Sequence, residues 1–455
     1  MKFRFGLIMA AYLWIGLPFT VTAQSADEFT LANGMKIIVK EDRRAPTVAH
    51  MIWYRVGSMD EVSGTTGVAH VLEHMMFKGT KKLKTGEFSA RVAALGGREN
   101  AFTSKDYTAY FQQIEKSRLE DVMALEAERL ANLVISKEEF EKEIRVVMEE
   151  RRLRTDDQPI SLLYEALNAT AHFAHPYRHP IIGWMGDLQH MTVEDTRNWY
   201  RRWYAPNNAT MVVTGDVDAK QVFKLAQKYF GSLPAKTLPQ AYATPDPEQR
   251  GIRRVTVKAP AENPYVALAF KVPKLENVDK DVEPYALDVL AAILDGYDNA
   301  RLNARLVRTE RVAVSAGAGY SGIARGPVLF ILDGTPSAGV TTEQLEGLLR
   351  AEVNRIAQEG VTEQELKRVK TQLIASQIYK RDSIFGQAME IGTMEMVGFS
   401  YKQIDHIIAK LGEVTAEQVQ AVARKYFGDD KLTVATLVPL PLEEKKESAP
   451  AGLRH

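Results

Sequence analysis

The sequence predicts an α+β fold assembled from two homologous halves, and three observations lead there. Short β-branched and aromatic runs alternate with long, N-capped helical segments, a proline-rich stretch divides the chain near its middle, and the pattern before that stretch recurs after it. Taken in order, Met35–Lys40 and Val48–Tyr54 alternate at period two and read as strands. Gly67 to Phe77 reads as a helix with apolar residues on most faces, and therefore buried. Helical patterns at Gly86–Leu95, closed by Gly96-Gly97, and at Leu119–Leu133 flank a strand at Tyr107–Phe111. Ser136, with Glu139 three residues on, opens a long helix over Lys137–Arg154 as a capping box. Pro234, Pro239, Pro245 and Pro247 mark an interdomain linker over 234–251.

Much of this order repeats across the linker. Met191-Thr192-x-Glu194 opens a helix that ends at Trp203-Tyr204 and leads into the apolar strand Met211-Val212-Val213. Some 223 residues later, Val414-Thr415-x-Glu417 opens a helix that ends at Tyr426-Phe427 and leads into Leu432–Ala435. Ile135-Ser136-x-x-Glu139 is likewise echoed by Val361-Thr362-x-x-Glu365. Echoes in one order at nearly one offset point to duplicated halves. The division is then a leader over 1–23, a first half over 24–233, the linker, a second half over 252–440 and a disordered tail over 441–455.

Composition narrows the function. With 455 residues the chain is too long for one ordinary core. Lys+Arg and Asp+Glu balance at 58 each without a dominant basic run, which sets nucleic acid aside as a partner. Lys2 and Arg4, the apolar stretch from Phe5 to about Phe19 and the small residues before Gln24 form the layout of a secretory signal cleaved after Ala23. No later segment approaches the length of a membrane span, so the mature chain is expected to be exported without one, to the periplasm. The absence of cysteine excludes disulfides, a thiol nucleophile and a thiolate metal site. Any metal must be held by histidine and carboxylate.

The segment that carries chemistry is His70-x-x-Glu73-His74. Residues four apart on a helix project from one face about a turn apart, close enough for two imidazoles to reach one zinc ion. Glu73 lies on the same face, where a carboxylate can act as a general base. The flanking Val68, Ala69, Val71, Leu72, Met75, Met76 and Phe77 argue against a solvated polar stripe. A third protein ligand is needed, and the acidic helix around Glu143–Glu150 supplies candidates; spacing alone does not choose between Glu149 and Glu150. His172, His175, His179 and His190 read as loop packing, and His50 as a structural residue within its strand.

With these residues, Phe77-Lys78-Gly79-Thr80, Gly96-Gly97, Asn100-Ala101-Phe102-Thr103, His175-Pro176-Tyr177 and Tyr204-x-Pro206-x-Asn208-Ala209 complete a specific set. The chain resembles the pitrilysin/insulinase family of inverted-motif zinc peptidases over nearly all its mature length. It is most similar to the half-length branch with mitochondrial processing peptidase and bacterial periplasmic relatives. The resemblance implies α/β-sandwich halves, each a mixed, mainly antiparallel sheet with helices on one face, forming half of a clamshell chamber. It implies one Zn2+ per chain held by His70, His74 and Glu150, with Glu143 supporting the site and Glu73 as catalytic base. It further implies that Asn100, Ala101, Phe102 and Thr103 form an edge strand for substrate, with peptides or unfolded polypeptides hydrolysed at the amide bond.

One departure stands out. Active relatives carry an arginine and a tyrosine seven residues apart in the second half; Arg308 matches the arginine as a substrate-binding residue, but the residue seven on is Ser315. A half-length chain also forms only half of a closed chamber. The expectation is therefore a dimer, either a heterodimer with a similar chain that brings the Arg/Tyr pair or a homodimer. The competing reading is a non-catalytic peptide-binding or assembly subunit that retains zinc.

Overall fold

The computed structural model describes residues 26–240 and 245–442; the leader expected over 1–23 and residues 443–455 of the expected tail lie outside them. Strands β1 (Asp27–Thr30), β2 (Lys36–Glu41), β3 (Thr47–Tyr54), β4 (Arg98–Thr103), β5 (Thr108–Glu115) and β6 (Ala209–Gly215) form the first sheet in the order β1-β2-β6-β3-β5-β4. Its helices are α1 (Val68–Met75), α2 (Glu87–Ala94), α3 (Leu119–Asn132), α4 (Lys137–Arg151), α5 (Pro159–Ala171), α6 (Met185–His190), α7 (Val193–Trp203) and α8 (Ala219–Phe230). Strands β7 (Arg253–Pro260), β8 (Tyr265–Val272), β9 (Ala313–Gly319), β10 (Val328–Pro336) and β11 (Leu432–Leu440) form the second sheet in the order β7-β11-β8-β10-β9. Helices α9 (Glu283–Asp295), α10 (Thr342–Glu359), α11 (Glu363–Tyr379), α12 (Ile384–Val397), α13 (Ile404–Glu413) and α14 (Ala416–Tyr426) accompany it.

The two sheets share one plan. In each, the last strand inserts parallel to the strand that opens the shared plan (β2–β6, β7–β11), and every other pairing is antiparallel. The echoed sequences fall on equivalent elements. Thr192 and Thr415 open α7 and α14 as complete capping boxes, with Asp195 and Gln418 as the reciprocal arms. Ser136 and Thr362 cap α4 and α11 by accepting from the N–H of Glu139 and Glu365, but the box expected at Ser136 does not close. Glu139 turns to Lys142 and Glu365 to Arg301 instead. The helix expected to reach Arg154 ends at Arg151 and widens into a π turn over Arg152–Asp156.

Each half packs its own helices on one sheet face and borrows one helix for the other. Ile37, Val39, Val48, Ile52, Met211 and Val213 face the first-half helices. The alternate residues Ile38, Ala49, Met51, Trp53 and Val212 face Ala388, Ile391 and Met396 of α12, which comes from the second half. Reciprocally, Leu163 and Leu167 of α5 cover Ala267, Ala269, Ala435 and Leu437 on the back of the second sheet. Burying both faces of each central strand removes far more apolar surface from water than a one-sided sheet would. It also makes the two halves mutually dependent. Arg325 adds a polar fastening: its Nη1 and Nη2 donate to Asp60 at 2.8 and 2.9 Å, and Nη1 donates to the Asp106 carbonyl at 2.9 Å. The segment read as a linker carries no helix or strand over 231–240 and 245–252. It is nonetheless tied down, Lys236 to Asn207 and Gln249 Nε2 to the Leu432 carbonyl at 2.7 Å.

Candidate metal centre

Helix α1 carries both histidines and is held at its start by an acid the sequence reading did not single out. Glu61 accepts from the N–H of Gly67 at 2.8 Å and of Ala69 at 2.9 Å, satisfying two of the donors a helix N-terminus leaves free. Burial pushes the Glu61 carboxyl well above its ordinary range, with these two bonds acting the other way. Asp187 ties down the preceding loop by accepting from the N–H of Gly64 and Thr66 and from Thr66 Oγ1. Gly67 itself has φ +88°, and a Cβ there would lie 2.5 Å from the Ile182 carbonyl oxygen, so both backbone shape and close approach require glycine.

On that helix the His70 and His74 rings meet edge to face, centroids 4.7 Å apart. Glu150, near the end of α4, brings Oε2 to 3.3 Å from His74 Nε2 and 3.9 Å from His70 Nε2. All three donor atoms lie within 4.8 Å of one another. Bonds of 2.0–2.1 Å in tetrahedral geometry separate donors by roughly 3.3 Å, so the set fits zinc. Of the two acids left open by spacing, Glu150 is the one beside the histidines, while the Glu149 carboxylate is exposed and pairs with Arg152. Burial pushes His70 down to about 3, helped by the charges of His74 and Arg154, which keeps its ring neutral and able to donate a lone pair.

Around these donors a further ring of groups fixes orientation. Glu143 Oε1 lies 2.9 Å from His74 Nδ1, and its Oε2 is 2.6 Å from Lys78 Nζ. Burial draws His74 down, but the Glu143 hydrogen bond and the charges of Glu150, Glu143 and Glu73 outweigh it and leave the ring above its usual value. Such a carboxylate fixes the ring tautomer and raises its basicity toward a metal. Glu143→Gln is accordingly expected to weaken zinc binding by about 10–100-fold, measured by competition with a chromophoric chelator. Arg154 Nη1 sits 2.6 Å from Glu150 Oε1, the oxygen turned away from the histidines.

Glu73 occupies the same cleft. Its Oε2 accepts from Thr103 Oγ1 at 2.5 Å, and burial raises its pKa against the opposing pull of Thr103 and His74. The cleft, about 410 Å³, is lined by His70, Glu73, Glu150 and the β4 residues Ala101, Phe102 and Thr103. β4 pairs only with β5, so its outer edge faces this space unpaired among the described residues. Asn100 stands beside it, exposed, its Oδ1 accepting from the Ala101 N–H at 2.9 Å. A larger cavity of about 630 Å³ lies between α2, α3 and α8, but it holds none of these donors; chemistry and not volume marks the site.

Arg308 is not brought to this cleft. It lies exposed on a π turn over Asn303–Thr309, where its Nη2 donates to the Asp298 carbonyl at 2.8 Å, and Ser315 is exposed on the edge strand β9. Tyr320, the tyrosine five residues beyond Ser315, is engaged elsewhere, its hydroxyl donating to the Pro273 carbonyl at 2.7 Å. His50 is fully buried with Nδ1 2.9 Å from Gln112 Oε1, and the His172 ring sits 3.7 Å from Asp246. The sequence reading missed Glu61, Arg154 and the tie of Lys78 to Glu143. Lys78 stands in the Phe77–Thr80 motif and Arg154 at the expected helix end, but neither position signals its role.

Two sheets of one plan, with convergent His, His and Glu donors beside a buried glutamate on one half only, define a two-half α/β protein with a candidate zinc centre. The chain belongs to the insulinase family (peptidase family M16): the family's peptidase model matches residues 36–183 and its model for the peptidase M16 inactive domain matches residues 190–373. The chain is similar to the zinc protease PqqE of Helicobacter pylori, 33% identical over 447 residues, which cover 95% of this chain and 98% of that one. A crystal structure of a protease from Helicobacter pylori superimposes with a TM-score of 0.86 at 31% identity, over 91% of this chain and all of the other. The fold is also that of the periplasmic protease PqqL from Escherichia coli, at TM-score 0.78 and 20% identity, over 92% of this chain and 48% of PqqL. The present chain thus corresponds to about half of that protein. No described helix is long and apolar enough to cross a membrane.

Proposed function

We propose that the chain is a zinc-dependent endopeptidase of peptides or unfolded polypeptides, with one zinc per chain on His70, His74 and Glu150. The observation that carries this reading is the convergence of three donors within 4.8 Å beside Glu73, in a cleft bordered by an open strand edge. When bound, zinc supplies Lewis-acid activation of water and of the scissile carbonyl. The remaining work belongs to the chain. A substrate segment adds along β4, where Asn100 to Thr103 align its backbone by strand addition. Thr103 holds Oε2 of Glu73, leaving Oε1 to take the proton of the attacking water and pass it to the leaving amine nitrogen. The apolar walls of α1 keep Glu73 basic enough for that transfer.

In this reading the half over 24–233 is catalytic and the half over 252–440, which has no H-x-x-E-H, is a silent duplicate. Because Arg308 is turned to the Asp298 carbonyl and Ser315 stands where relatives place tyrosine, the chain pairs with a second, similar chain that brings an Arg/Tyr pair. The same observation favours, as second reading, a zinc-retaining subunit that binds peptides without cutting them. Export to the periplasm follows from the leader expected over 1–23.

The test is hydrolysis of a quenched-fluorescent peptide mixture by the zinc-loaded chain, alone and with candidate partner chains. Cleavage should be lost on chelation and restored by zinc. Rates for the isolated chain equal to those of any mixed pair would discard the heterodimer. Zinc binding without cleavage in any pairing would favour the binding subunit.

A further inference from the structure

The cleft at Glu73 does not end at Thr103. A second cavity of about 360 Å³ adjoins it, sharing Ile181 as a wall and continuing past β4 through Ser104 and Lys105. It lies between the halves, bordered on the far side by Ala324, Pro327 and Leu329 of the second half. A substrate strand laid along β4 would run into it. At about 3.3 Å per residue, the cavity takes the side chain or chain end two or three residues from the scissile bond.

The charged groups lining that cavity are Lys105 and Asp106. Three cations of the region are already matched or capped: Lys271 with Asp246 at 2.9 Å, Arg325 with Asp60, and Lys274 on the carbonyls of Ala324 and Arg325. Lys105 is not. Its Nζ has Asn168 Oδ1 at 3.3 Å and sits 4.9 Å over the Tyr177 ring, with no carboxylate at ion-pair distance among the described residues. The neighbouring Asp106 is committed elsewhere, accepting from the Tyr177 hydroxyl and from the Arg325 N–H. His172, on the same wall, is pushed down to about 3 by burial and by the Lys105 charge, so it is neutral. Burial likewise draws Lys105 down to about 8, with Asp106 acting against it, which leaves it mainly protonated at neutral pH. A half-satisfied cation at the end of a strand-binding groove is suited to an anionic ligand with two acceptor oxygens.

We infer that Lys105 and the inter-half cavity select substrates carrying a carboxylate two or three residues from the scissile bond. The inference rests on the peptidase reading for its placement of the substrate strand. The carboxylate is a glutamate or aspartate side chain or the free C-terminus of a short peptide. The shared chemistry is the same, and the test separates the two.

Matched fluorogenic peptides would carry glutamate or glutamine at each of the three positions on either side of the cleaved bond. A parallel set would end there as free acid or amide. The expected result is a preference of about tenfold in kcat/KM for the acid at one position, expressed in KM, as for a charged hydrogen bond. In Lys105→Met and Lys105→Gln the acid-to-neutral ratio should fall to about one, and Lys105→Arg should keep most of it. An acid preference untouched by Lys105→Met, or no acid preference at any position, overturns the inference. If the wild type cleaves nothing, anisotropy of the same peptides labelled with fluorescein, read on the Glu73→Gln protein, decides separately. Acid-selective binding that needs Lys105 keeps the inference while the peptidase reading falls, and its absence removes both.

Discussion

Replacing Glu73 with glutamine is expected to lower kcat for peptide hydrolysis by ~10²–10⁴-fold, the range of a lost general base. Zinc should stay bound. The three converging donors are His70, His74 and Glu150, and Glu73 belongs to none of the contacts among them. Structure should also persist, because a glutamine Oε1 still accepts from Thr103 Oγ1, and a neutral amide suits a site whose burial already disfavours the charged form. The measurement is steady-state kinetics at matched zinc content, with metal quantified on the same sample. A glutamine variant within about tenfold of wild type would remove Glu73 from the proton-transfer role, since water alone would then serve as well. Loss of zinc together with activity would instead make Glu73 part of the metal site.

What the sequence disclosed and what it hid divide along physical lines. The His70/His74 pair was legible because helix periodicity converts a spacing of four into one face, and no tertiary information is needed. The duplication was legible because capped helices lead into the same strands in both halves, and the parallel insertion of β6 and β11 follows those echoes. To single out Glu150 as a candidate needed the resemblance, since on one helix Glu149 and Glu150 differ only by a rotation, and only the fold shows which of them faces the histidines. Glu61 was hidden altogether. It caps α1 from six and eight residues upstream through a loop, outside the local spacing that marks a capping box. The exchange of α5 and α12 goes against the period-two reading of Met35–Lys40: Ile37-Ile38-Val39 and Met211-Val212-Val213 are apolar at every position, and both faces of these strands are buried. Nothing local could tell that the cover on the second face comes from a helix far along the chain.

That exchange yields the second large effect. Gly392 of α12 lies flat on the indole of Trp53, and a Cβ built there would stand 2.0 Å from Cε2, 2.3 Å from Nε1 and 2.4 Å from Cζ2. Trp53 cannot yield. It is fully buried near the C-terminal end of β3 and is wedged edge-on against Phe102 and Tyr107, at 5.6 and 5.2 Å between centroids. Helix α12 must therefore move, and Gly392→Ala is expected to destabilise the protein by about 2 kcal/mol or more, beyond the ~1 kcal/mol that alanine gains over glycine in a helix. The same exchange at Gly347, in α10, is the control, because a Cβ there meets nothing within 4 Å. Gly347→Ala should stabilise by roughly 0.5–1 kcal/mol, so one substitution type gives opposite signs at two helical sites. Urea unfolding followed by circular dichroism reads both. Equal stability of Gly392→Ala and wild type would mean that α12 does not press on Trp53 in solution, and that the halves are less interlocked than their packing indicates.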